Sequence, residues 1–140
     1  GINFAGGAEK FTGTRRMMTG AGEPLTQTPC PLDATYWQRN VESRFLYLAE
    51  KSKDLNVTGA VVDPEMYAAD IKMYRAPCYC DECLREFIRS EGGALEAGAV
   101  FPRDRVQWLK QGQAGARFDA FFQSRVRMAA TDGKNTVEAL

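Results

Sequence analysis

An α/β architecture is what this sequence predicts, on three observations. Strand-like and helix-like segments alternate along its 140 residues. One strand, over residues 57–62 (VTGAVV), is β-branched and almost wholly apolar, as a strand buried on both faces of a parallel sheet reads. The stretch before it carries apolar residues at helical spacing, so strand, helix and strand follow one another as in parallel βαβ units.

In order, residues 1–5 (GINFA) read as the end of a short strand, because Ile2 and Phe4 alternate ahead of a glycine pair. Residues 6–31, rich in glycine, proline and threonine and without a helical period, are expected to be a long loop. Loops of that length are commonly functional; Arg15 and Arg16 there read as an anion-binding or simply solvated basic pair. Asp33 is placed to cap a helix over about 34–53. Its Trp37, Val41, Phe45 and Leu48 are expected to face the core. Residues 68–77 connect to a second helix, favoured by Asp81 and Glu82 at its start. That helix buries Leu84, Phe87 and Ile88 and stops at Gly92-Gly93. A last helical region over about 103–130 is open to division at Gly112 and Gly115, and Asp132-Gly133 is expected to turn.

Two strands cannot close a sheet, whereas a (β/α)8 barrel needs eight strands and ~250 residues. Residues 1–140 are therefore expected to be an internal fragment of a single catalytic barrel domain, with a complete small α+β domain as the alternative. With 18 basic and 18 acidic residues the chain gives no electrostatic case for nucleic acid or an anionic membrane. No apolar run approaches the ~20 residues that span a bilayer. There is no histidine, which excludes Ser/His and Cys/His nucleophile systems and His-ligated metals within these residues.

Two groups of residues carry chemistry. Asp63 and Glu65, at i and i+2 past the apolar strand, project to one face, and read either as loop-start residues that cap the backbone or lie in solvent, or as groups that carry acid/base chemistry. A Glu in that position, near apolar walls and a second carboxylate, has its pKa raised and can act as a general acid on a glycosidic oxygen. Tyr67 adds a hydroxyl and an aromatic surface suited to a sugar. The second group is Cys78, Cys80 and Cys83, within six residues of one another, with Cys30 between two prolines upstream. The cluster is too crowded for its members to pair comfortably with each other. Three thiolates can wrap one ion, and a fourth completes the tetrahedral site of structural zinc. Free buried thiols, one disulfide with two free thiols, or an iron–sulfur cluster are the alternatives.

A Glu at a strand end, then a short loop, Cys-x-Cys-x-x-Cys and a helix containing Phe87, resembles the β-galactosidases of glycoside hydrolase family 42 and their relatives. The similarity covers roughly residues 28–90. It implies a TIM barrel, with this chain at about the third to fourth βα units, and Glu65 as acid/base at the end of the fourth strand. It also implies zinc on Cys30, Cys78, Cys80 and Cys83, a carbohydrate substrate, and a nucleophile downstream of Leu140. Pro64 stands where that family has Asn, which broadens the expected activity to glycoside hydrolase-like. Gly59-x-x-x-Asp63-x-Glu65 is also similar to the strand motif of family 18 chitinases, with Val61 in place of an Asp. A non-catalytic, zinc-stabilised carbohydrate-binding or interaction module is the reading from outside the enzymes.

Overall fold

The computed structural model describes residues 2–3, 13–55, 62–63, 76–96 and 98–138. Across them run four strands and five α-helices. The strands are β1 (Ile2–Asn3), β2 (Arg16–Met18), β3 (Pro24–Pro29) and β4 (Val62–Asp63). The helices are α1 (Ala34–Trp37), α2 (Ser43–Leu55), α3 (Asp81–Ser90), α4 (Arg105–Gln111) and α5 (Gly115–Glu138). β1 and β4 pair in parallel, Ile2 opposite Val62 and Asn3 opposite Asp63. β2 and β3 pair antiparallel, with an irregularity between Arg16 and Met18.

This is a mixed α/β arrangement, and the expected (β/α)8 TIM barrel is not what the described residues form. The longer strand pair is an antiparallel ribbon lying inside the segment expected to be loop, and the parallel pair is only two residues deep. The physical reason lies in the turn between β2 and β3. Thr19 N donates to Glu23 O at 2.9 Å and Gly22 N to Thr19 O at 3.0 Å, reversing the chain within five residues. Gly22 supplies the left-handed conformation the turn needs, at φ +77°, which a side chain would resist. Pro24 and Pro29 sit at the two ends of β3, where a missing N–H costs least.

The core forms where this ribbon meets α3, α4 and α5. Met17 from β2, Leu84 and Phe87 from α3, Leu109 from α4, and Phe118 and Phe122 from α5 are buried together, with Phe101 from the connecting segment. Phe118 lies at its centre: its ring stands 5.3 Å from both Tyr79 and Phe87, edge-on to the latter. Full burial of aromatic rings of this size contributes about 1.5–3 kcal/mol each. α3 ends at Ser90 with Gly92 at φ +78°, as the glycine pair predicts. α4 and α5 divide at Gly112 and Gly115, also as expected. The turn expected at Asp132-Gly133 is absent, since α5 continues through both residues to Glu138.

The helix after Asp33 departs from expectation in a way its backbone explains. Asp33 caps α1, accepting from Thr35 N at 3.1 Å. A π-helical segment, Gln38–Glu42, then separates α1 from α2. A π turn takes up an additional residue, about 100° of helical phase, so a stripe spaced for a continuous α-helix loses its single face. Tyr36 is buried, whereas Trp37 is 40% exposed and no residue of α2 is buried. The apolar stripe expected to pack into the core therefore does not do so within the described residues. No helix among those residues is long and apolar enough to cross a membrane.

Candidate metal centre

Two elements far apart in sequence build the centre. Cys30 follows the last residue of β3. Its N–H donates to Arg15 O at 2.8 Å, and its carbonyl accepts from Asp33 N at 3.0 Å, so it is held on both sides. From the other direction, Tyr79 N donates to Met18 O at 2.9 Å, which lays the segment Cys78-Tyr79-Cys80 beside β2. Cys80 is the N-cap of α3 and Cys83 lies in its first turn. That i, i+3 spacing puts the two sulfurs on one side of the helix.

The result is a closed cluster of four thiols. The four Sγ atoms lie within 4.8 Å of one another. Cys80 and Cys83 are 3.4 Å apart, Cys30 and Cys83 3.6 Å, and Cys30 and Cys80 3.9 Å. Four sulfurs bound at about 2.3 Å to one tetrahedral ion stand about 3.8 Å from each other. The observed spacings bracket that edge and lie far beyond the roughly 2.05 Å of a disulfide bond. All four cysteines are free and buried, Cys80 alone retaining a small exposure of 7%. These residues can therefore hold a metal ion.

Proton affinities across the cluster split in two. Hydrogen bonds, first with Cys30, hold Cys80 well below the ordinary thiol range and lower Cys78 as well. Hydrogen bonding, with Cys78 first for Cys30 and with Cys30 first for Cys83, pushes those two thiols up, and burial adds to it. The N-terminus of α3 adds positive potential beside Cys80 and Cys83.

Two arginines fasten the centre. Arg15 points Nη1 at Cys80 Sγ, 3.9 Å away, and donates Nη2 to Leu32 O at 2.7 Å. Arg105, buried at the start of α4, pairs with Asp81 Oδ1 at 2.6 Å, donates to Tyr79 O, and stands over the Phe101 ring. Its backbone N–H donates to Gly20 O at 2.8 Å, so it joins the cysteine loop to the β2–β3 turn. The sequence drew attention to Arg15 only as half of a basic pair, and not to Arg105 at all. Nothing local in either segment signals these long-range contacts.

Of the residues expected to carry function, the structure brings together Cys30, Cys78, Cys80 and Cys83. It does so at the end of an antiparallel ribbon and at the start of a helix. Asp63 is the last residue of β4, opposite Asn3. Glu65 and Tyr67 lie outside the described residues, as do Pro64 and most of the strand expected over 57–62. Comparison with family models, curated proteins and solved structures finds no match to this chain.

Proposed function

We propose that this chain is a zinc-stabilised part of a glycoside hydrolase-like enzyme. Zinc would be held by Cys30, Cys78, Cys80 and Cys83, and Glu65 would be the general acid/base. The observation that carries the zinc reading is the convergence of four buried sulfurs at tetrahedral spacing. An all-sulfur donor set selects zinc or iron among the common metals, and zinc is the one with no redox chemistry to control. Four thiolates fill the coordination sphere, so the ion's work here is to fasten chain to chain rather than to activate water. The segment bearing Glu65 and Tyr67 runs directly into Cys78, so a metal at this point fixes one end of it against the β2–β3 ribbon.

The hydrolase reading is supported by the Cys-x-Cys-x-x-Cys pattern following Glu65 in the sequence. Its implied fourth ligand, Cys30, does reach the cluster. In this reading Glu65 protonates the departing glycosidic oxygen, while Asp63 and Tyr67 contact the sugar. Glu65→Gln tests it. Hydrolysis of alkyl glycosides should fall on the order of a hundredfold or more. Aryl glycosides with good leaving groups should lose less, and sugar binding should persist. Unchanged hydrolysis removes Glu65 from the mechanism. Sugar binding by the unaltered protein with no turnover would favour the non-catalytic binding module instead.

A further inference from the structure

We infer that Arg15 sets how tightly the cysteine centre holds its metal, by fixing a positive charge against the sulfur of Cys80. The inference rests on the zinc reading above and adds to it a residue outside the ligand set.

Four thiolates around a dication leave two negative charges in excess. The four sulfurs are buried, so that excess cannot be dispersed into water and is costly unless a cation faces it. Arg15 is built into such a position. Its backbone N–H donates to Asp33 Oδ2 at 2.5 Å and its carbonyl accepts from Cys30 N at 2.8 Å. One arm of its guanidinium is held by Leu32 O, which directs the other at Cys80 Sγ. The planar fork is what allows one side chain to hold a carbonyl and face a sulfur together, which a lysine ammonium does less well. Arg105, the other arginine near this loop, is directed to Asp81 and to Tyr79 O instead.

The test is competition for zinc between the full chain and a chromophoric chelator, for the unaltered protein, R15M, R15Q, R15K and R16M. Cobalt(II) absorption of each reports the ligand geometry. R15M and R15Q should both weaken zinc binding, about 10- to 100-fold, R15Q doing so while keeping a donor for Leu32 O. R15K should recover part of the loss. R16M, altering the exposed neighbour in β2, should bind as the unaltered protein does. The cobalt bands should keep their four-thiolate form in every variant. Equal zinc affinity for R15Q and the unaltered chain would overturn the inference. So would an R15K no tighter than R15Q, or cobalt bands that change with R15Q, since a packing role predicts those. Failure of the unaltered chain to bind zinc at all would instead overturn the zinc reading itself.

Discussion

Cys30 and Cys83 stand 53 positions apart in the chain, yet their sulfurs approach to 3.6 Å. One belongs to the end of a β-ribbon and the other to the first turn of a helix. The contact therefore ties the ribbon, which gives Met17 to the core, to α3, which gives Leu84 and Phe87.

Removing one corner of the cluster should loosen that tie. A structural zinc bound by folded ligands contributes about 10–16 kcal/mol, comparable with the whole stability of a domain at about 5–15 kcal/mol. Cys30→Ser is expected to lose zinc at micromolar chelator and to unfold at a clearly lower urea concentration than the zinc-loaded, unaltered protein. Near-UV circular dichroism of the Tyr79–Phe118–Phe87 cluster provides the signal.

The metal-free protein should have a stability maximum near the ordinary thiol pKa, about 8.5. Cys78 and Cys80 have lowered pKa values when folded, so their contribution is present above that value and is lost as pH falls. Cys30 and Cys83 have raised values, so theirs is present below it and is lost as pH rises. Urea midpoints of the metal-free protein between pH 7 and 10 should trace this rise and fall. The zinc form, whose ligand sulfurs give up their protons to the metal, should show no alkaline loss over the same window.

Gly22 and Gly92 separate a steric from a conformational cost. Both are left-handed, at φ +77° and +78°. A Cβ at Gly22 would meet Arg103 O at 2.4 Å, whereas one at Gly92 meets nothing within 4 Å. Gly92→Ala is expected to cost about 1 kcal/mol for the backbone alone. Gly22→Ala should cost at least about 2 kcal/mol more, because a backbone carbonyl must move and the turn at Thr19–Glu23 carries the hydrogen bonds to Gly20 O. Chemical denaturation of the two variants checks the difference.

Phe118→Ala should cost about 3–5 kcal/mol, the range for truncating a fully buried phenylalanine. Phe121→Ala, one turn round α5 and half-buried beside Phe87, should cost less. Equal losses would place the core's centre elsewhere.

The parts legible in the sequence were those whose cause is local. Asp33 as a cap, Gly92 as a stop and the division at Gly112 and Gly115 each follow from the preferences of one or two residues. The convergence of Cys30 with Cys78, Cys80 and Cys83 was legible through chemistry, because crowded thiols have few other arrangements. The ribbon was not, because Arg16–Met18 and Pro24–Pro29 lack an alternating apolar pattern. Their pairing is set by the Thr19–Glu23 turn and by burial of Met17 against the helices. The stripe from Trp37 to Leu48 misled because a π turn shifts helical phase without leaving a mark in hydrophobic spacing. Arg15 and Arg105 act across 65 and 26 positions, on Cys80 and Tyr79, and spacing carries no trace of such partners. The barrel expectation failed at that same point, by treating the ribbon as a loop between parallel strands.

The central claim is a zinc ion on four sulfurs, and zinc-edge X-ray absorption on the purified, metal-quantified protein tests it most directly. The expected result is one zinc per chain with a single shell of four sulfur scatterers at about 2.3 Å. Oxygen or nitrogen in that shell, or a folded protein that carries no zinc, would contradict it.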